Sequence, residues 1–260
     1  MKNTAIITGA SSGIGKEFAT LHAEKGGDLI IVARRGDKLN ELKAELEEAH
    51  GVQVYVIEKD LTQPHAAQEL FDEVKREGIE LQYLINNAGF GGVGEFHERD
   101  PEDDLAMIQL NITALTELCR LFLPEFVEKN QGRVLNVSST ASLPPGGPLQ
   151  SVYFATKHYV TALSYGIAGE LEDSEVTVTA LLPGATETEF AKTSGMEKTE
   201  LFSRAASARS VAEDGYNAMM EGKLTAVSGL SLPQKILMVL MPVLPKKFVL
   251  AQIKKMQEVQ

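Results

Sequence analysis

The chain of 260 residues contains a single cysteine, Cys119, which excludes an internal disulfide and fits a reducing compartment. Basic residues are the minority: 25 Lys and Arg stand against 36 Asp and Glu, a net charge of -11. That balance argues against a nucleic-acid partner, because binding a phosphate backbone needs a basic surface. No apolar run approaches the roughly 18 residues of a membrane-crossing segment, so no transmembrane segment is expected. The five histidines, His22, His50, His65, His97 and His158, lack metal-ligand spacing, and no Cys/His cluster exists, so no metal is expected. Met1-Lys2 leads straight into an apolar run, leaving no room for a signal peptide. There is no internal repeat, low-complexity tract or linker. These absences lead to the expectation of one cytoplasmic domain. The 43% hydrophobic and 23% charged residues are those of an ordinary globular protein, long enough to bury a substantial core.

What is present is organised around the N-terminal stretch. Ala5-Ile6-Ile7 reads as a buried strand, followed by a turn with Gly9, Gly13 and Gly15, then a helix with Ile14, Phe18 and Leu21 on one face. Strand, glycine turn and helix in this order form the context of a dinucleotide site. The turn must be tight, the backbone must come close to a pyrophosphate, and the helix N-terminus must offer free N–H groups. The spacing is G-x-x-x-G-x-G rather than G-x-G-x-x-G. Further strands are expected at residues 28–33, 52–57, 83–85, 133–137, 176–182 and 224–228. Helices are expected between them, including a long one over 102–129, one over 151–172 and one over 211–221. Continuous apolar strands alternating with helices predict an α/β fold, a doubly wound parallel sheet of the Rossmann type.

Arg34 and Arg35 follow the second strand, where a dinucleotide fold faces the adenosine ribose. An acidic residue there binds a free 2′-hydroxyl, whereas arginine accommodates the 2′-phosphate of NADP; the cofactor expected is therefore NADP(H), with Arg34 the better placed. Asp60-Leu61 ends the third strand segment, and Asp60 can either accept from the adenine amino group or begin the turn before Pro64. Asn86-Asn87-Ala88-Gly89 lies at the end of the fourth strand, where ligands bind in open α/β sheets. Tyr153-x-x-x-Lys157 puts a phenol and an ammonium on one helix face. Tyrosine titrates near about pH 10, and a neighbouring cation favours phenolate. Ser138-Ser139 ends the fifth strand, and a serine hydroxyl there can stabilise charge developing on a substrate oxygen. Asn111 is an oddity, a poor helix former in mid-helix.

Taken together in order, Thr8-Gly9-x-x-x-Gly13-x-Gly15, Asn86-Asn87-Ala88-Gly89, Asn111, Ser139, Tyr153-x-x-x-Lys157 and Pro183-Gly184 strongly resemble the short-chain dehydrogenase/reductase family over about residues 1–190. Within it the chain looks like the NADP-preferring carbonyl, 3-oxoacyl and hydroxysteroid reductase-like members. The resemblance implies that Tyr153 is the general acid/base, that Lys157 lowers its pKa and holds the nicotinamide ribose, that Ser139 polarises the carbonyl and that Asn111 holds a water in a proton relay. It further implies cofactor contacts from Gly9, Ser11, Ser12, Gly13, Ile14, Gly15, Arg34, Arg35, Asp60, Leu61, Asn87, Ala88, Gly89, Pro183, Gly184, Thr186 and Thr188, with the Thr188 hydroxyl on the carboxamide. The implied activity is interconversion of a ketone or aldehyde with an alcohol by hydride transfer. The loop between Ser139 and Tyr153 is one residue longer than usual, so Ser138 stays open as the catalytic serine, behind Ser139.

The chain divides into a catalytic unit, residues 1–229, and an extension, residues 230–260. The extension carries five lysines and one glutamate, net +4, and an apolar stretch over 236–244 interrupted by Pro242. An amphipathic helix pair packing on the domain or on a sister subunit is the favoured reading; a lid over an apolar substrate and a weak peripheral membrane contact are the alternatives. Residues 189–210 are expected to close over the site. The tail lacks the glycine-rich ending of many tetrameric family members, and a homodimer is the default. Two other readings stand beside the oxidoreductase: a catalytically silent NADP(H)-binding regulatory protein, and, within the same chemistry, a 3-oxoacyl or steroid-type reductase.

Overall fold

The computed structural model describes residues 1–190, 205–231, 233–234, 241 and 244–257. Seven parallel strands form one sheet: β1 (Ala5–Thr8), β2 (Leu29–Ala33), β3 (Val54–Glu58), β4 (Tyr83–Asn86), β5 (Arg133–Val137), β6 (Thr177–Pro183) and β9 (Thr225–Ser228). Their spatial order is β3-β2-β1-β4-β5-β6-β9. The chain therefore winds outward from β1 in one direction and from β4 in the other. The C-terminal ends of β1 and β4 diverge into a crevice, the place where doubly wound sheets take their ligands. Two short strands, β7 (Thr186–Glu187) and β8 (Ala206–Ser207), pair in parallel at the edge of that crevice.

Strand side chains alternate between the two faces, as a period of two requires. Ile7, Leu29, Ile31 and Leu135 point to one side, where α1 (Gly13–Glu24), α2 (Gly36–His50) and α7 (Ala208–Met220) cover them with Phe18, Leu39, Leu46 and Met219. Ile6, Ile30, Val32 and Val134 point to the other, under α3 (Ala66–Arg76), α5 (Leu115–Glu128) and α6 (Ser151–Glu170), with Leu70, Phe122, Phe126 and Val160. Sheet strands buried on both faces read as unbroken apolar runs, which is why they were legible in sequence.

Boundaries move where polar side chains intervene. Asp28, expected within the second strand, is outside it; its carboxylate accepts from the Lys2 and Gln53 backbone N–H groups and ties two strand starts together. The long helix is not uniform. It runs as α4 (Pro101–Ile108), a π-helical stretch Gln109–Ala114, and α5. Asn111 lies in that π stretch, which is the local reason its sequence position demanded. By length and composition Pro101–Glu128 is apolar enough to cross a membrane. Here Met107, Ala114, Leu118, Cys119, Phe122 and Phe126 are built into the core. The last described helix, α8 (Lys246–Gln257), packs back on the domain through buried Val249 and Ile253. Most of the apolar stretch 236–244, and residues 191–204 of the expected closing segment, lie outside the described residues.

Candidate active site

An open cavity of about 820 Å³ occupies the crevice. The sequence-derived cofactor and catalytic residues line it, with two exceptions, Gly15 and Asn111. Both of these act from behind the wall.

The glycine turn shows why those residues are glycines. Gly13 has φ +55, the left-handed region, and a Cβ there would lie 2.9 Å from Cγ2 of Thr188. A Cβ on Gly15 would lie 2.3 Å from the Gly9 carbonyl oxygen and 2.5 Å from Nδ2 of Asn87. The turn is thus folded on itself and against the end of β4. Thr8 and Asn87 hold this contact. The Thr8 hydroxyl accepts from the Asn87 and Ala88 backbone N–H groups, each at 3.0 Å, and Asn87 Nδ2 donates to the Thr8 carbonyl at 2.9 Å. A bare, backbone-walled cradle at the N-terminus of α1 suits a dinucleotide pyrophosphate.

At the adenosine end, Arg35 is anchored where the sequence favoured Arg34. Its guanidinium donates to the Ser11 hydroxyl at 3.0 Å and the Ser12 hydroxyl at 2.9 Å, and pairs with Glu189 at 2.8 Å. Glu189 is held below the usual carboxylate range, chiefly by that hydrogen bond. Arg34 is exposed, lines the same cavity, and its charge reaches Asp60. Partial burial pushes the Asp60 carboxyl up, but hydrogen bonds from Thr62 and the charge of Arg34 outweigh it and leave it lowered. Asp60 Oδ1 accepts from both the backbone N–H (3.0 Å) and hydroxyl (2.8 Å) of Thr62. Of its two sequence readings, the turn role is the one seen in these bonds.

At the other end, Ser139, Tyr153 and Lys157 come together from β5 and α6. Ser139 caps the 3₁₀ turn Thr140–Ser142, accepting from the Ala141 N–H at 3.1 Å, and hydrogen-bonds Tyr153. Ser138 does not face the cavity chemistry with its hydroxyl: Oγ donates to the Lys157 carbonyl at 2.8 Å and lies within hydrogen-bond distance, 2.7 Å, of Thr161 Oγ1. Geometry separates the two serines that the sequence left open. Ser138 fastens α6 to the sheet, and Ser139 meets the phenol.

Tyr153 is 8% exposed and Lys157 5%. Burial pushes the phenol up to about 12, against the pull of the Ser139 hydrogen bond, and pushes the ammonium down to about 8. The sequence led to a lowered tyrosine pKa; in the protein alone, desolvation prevails. Lys157 Nζ lies 5.8 Å from the ring centre of Tyr153 and donates to the Val137 carbonyl at 2.9 Å. Between pH 8 and the ordinary lysine value of 10.5, the unfolded chain keeps a proton that the folded protein has released. The Lys157 contribution to stability therefore rises across that window. Relative to the wild type, Lys157→Met should lose this rise in melting temperatures of the ligand-free protein recorded from pH 7 to about 10; identical pH profiles would refute the assignment.

Asn111 brackets the loop after β4. Its Oδ1 accepts from Phe90 N at 3.2 Å, and its Nδ2 donates to Phe90 O at 2.9 Å and Thr156 Oγ1 at 3.1 Å. Both ends of the amide are engaged, so the side chain positions Gly89 and α6.

An apolar part of the wall was missed in sequence. Phe90, Phe154, Phe190, Met241, Ile253 and Met256 line the cavity beside Tyr153. They come from the loop after β4, from α6, from the segment after β7 and from the tail. No periodicity could link them, because their only common property is tertiary.

A doubly wound parallel sheet whose switch-point crevice holds a glycine cradle at one end and a Ser–Tyr–Lys cluster at the other defines a nucleotide-binding protein of the Rossmann type. The family model described as short chain dehydrogenase matches residues 3–199, and the chain belongs to that family. A very-long-chain 3-oxoacyl-CoA reductase of Anas platyrhynchos is 32% identical over 196 residues, which is 73% of this chain and 62% of that relative. The chain thus spans less than two thirds of that relative's length. An NADP-dependent 3-hydroxy acid dehydrogenase of Escherichia coli (strain K12) is 34% identical over 182 residues, 69% of this chain and 71% of that one. A solved short-chain dehydrogenase from Sphingobium yanoikuyae in complex with NADPH superposes with a TM-score of 0.83 at 32% identity, covering 98% of both chains.

Proposed function

We propose that this chain is an NADP(H)-dependent oxidoreductase that interconverts a ketone or aldehyde with the corresponding alcohol. The observation that carries the reading is the meeting of Ser139, Tyr153 and Lys157 on one wall of a cavity whose far end is the glycine cradle and the arginine pair. NADP(H), when bound, supplies or accepts the hydride. Gly9, Ser11, Ser12, Gly13 and Ile14 would hold its pyrophosphate, with Arg34 and Arg35 on the 2′-phosphate. Thr186, Thr188, Pro183 and Gly184 would lie along the nicotinamide end.

In the reducing direction Tyr153 gives its proton to the carbonyl oxygen, and Ser139 hydrogen-bonds that oxygen as negative charge develops. A phenol held protonated by burial is suited to act as the acid. Lys157, buried and cationic below about pH 8, stabilises the phenolate left behind through its charge. Asn111 keeps the loop at Gly89 and the helix of Tyr153 in register. The apolar wall favours carbonyl compounds with a bulky apolar body, in line with a relative named for very-long-chain 3-oxoacyl-CoA.

The test is NADPH oxidation by the purified protein across aldehydes, ketones and 3-oxoacyl esters, with NADH in parallel. NADPH should be preferred, and Arg35→Ala should reduce that preference by about tenfold, as expected for removing one charge-assisted phosphate contact. Arg34→Ala should do the same to a smaller extent. A wild type that prefers NADH would overturn the arginine assignment. We further propose a cytoplasmic homodimer. Exposed Leu105 and Ile108 on α4 and Tyr159 and Tyr165 on α6 support a self-association face, and light scattering reads the mass directly.

A further inference from the structure

The inner face of α8 carries Val249, Ile253 and Gln257, spaced i, i+4, i+8. All three are buried, at 3%, 2% and 4% exposure. The first two pack with Tyr153 and Phe154 in one apolar cluster. The third is an amide at a position where the same stripe calls for a hydrophobic side chain. Gln257 lines the large cavity, and its Oε1 is buried without a hydrogen-bond partner among the described residues. Another cavity glutamine differs: Gln234 Oε1 accepts from the Ser231 N–H and hydroxyl, each at 2.8 Å. A buried acceptor left open is unfavourable in an apolar setting, and a ligand donor is what removes the penalty.

We propose that Gln257 is a specificity-determining residue, whose amide oxygen accepts a hydrogen bond from a neutral donor on the substrate, a hydroxyl or an amide N–H, carried away from the reacting carbonyl. The substrate class this defines is a bulky apolar ketone with one such donor. Val249 and Ile253 fix the register of α8 against the helix of Tyr153, so the donor and the carbonyl are read by one rigid unit. This assignment rests on the carbonyl–alcohol reading of the site.

Two matched pairs of probes test it. One is epiandrosterone against its deoxy analogue; the other is the N-acetylcysteamine thioester of β-oxodecanoic acid against the S-butyl thioester, which lacks the amide. Calorimetric titration of the full chain, in saturating NADP⁺, gives binding that does not depend on turnover, and NADPH oxidation gives KM and kcat. In at least one pair the donor-bearing probe should bind about tenfold more tightly. Gln257→Leu should erase that difference and leave the affinity for the donor-free probe unchanged, whereas Gln257→Glu, which keeps an acceptor, should retain it. Melting temperatures establish that each variant is folded, and Gln257→Met serves as the apolar replacement should the leucine variant fail to fold. No donor preference in either pair, or a preference that survives in the apolar variant, overturns the inference. Donor-selective binding without NADPH oxidation would instead preserve this role of Gln257 and overturn the proposed reaction.

Discussion

Tyr153→Phe should lower NADPH-linked carbonyl reduction by about a hundredfold to ten-thousandfold, the range for loss of a general acid, while NADPH affinity stays within about twofold of wild type. The phenol is buried and makes its polar contact with Ser139, so removing one oxygen leaves the apolar packing of the ring against Phe154 and Phe190 in place. Stopped-flow turnover together with fluorescence titration of NADPH separates the two quantities. Unchanged turnover would exclude Tyr153 as the proton donor. If the wild type itself bound NADPH tightly but turned over no carbonyl compound, the chain would be better described as a regulatory nucleotide-binding protein. Deleting an already silent hydroxyl would then change nothing.

The second large effect concerns a residue outside the cavity lining. Gly15→Val places carbon where the Gly9 carbonyl oxygen and the Asn87 amide already stand. Neither can withdraw cheaply: the first is backbone, and the second is held by the Thr8 carbonyl. Overpacking of this kind costs about 1–3 kcal/mol of stability. The larger consequence is for binding, because α1 must move away from β4 and the cradle widens. NADPH affinity should fall at least about a hundredfold, since the free N–H groups at the helix N-terminus no longer converge on one phosphate. Thermal melts and NADPH titration of the variant check both halves. A variant that binds NADPH normally would show that the turn does not hold the pyrophosphate.

Sequence and structure agree best where the determinant is local. The strand, turn and helix at the N-terminus were legible because an apolar triplet, three glycines and a helical repeat follow each other without interruption. Tyr153 and Lys157 were legible because i and i+4 on a helix must share a face. Neighbouring residues of one type were not separable in this way. Ser138 and Ser139 differ only in what lies opposite them, Lys157 and Thr161 for one and Tyr153 for the other. The same holds for Arg34 and Arg35, which the hydroxyls of Ser11 and Ser12 distinguish. The partners of Asn111 in the π turn, Phe90 and Thr156, lie far away along the chain. Gln257 was simply one polar residue of a basic tail until the burial of α8 gave it a cavity to face.

The strand order has a kinetic consequence. Gly9 and Asn87 meet only when β1 pairs with β4, and Ser139 and Pro183 only when β5 pairs with β6. Parallel pairing of this kind closes long loops before any contact rewards it, which slows folding and raises its dependence on distant contacts. Every wall of the crevice, from the glycine turn to α8, comes from a different crossover. The adenosine half of the crevice comes from residues 9–61, whereas Ser139, Tyr153, Lys157 and α8 come much later in the chain, so complete ligand-binding competence should be the last property recovered on refolding. A chain released before α8 is made would carry the hydride-transfer residues with one wall of their cavity open to water.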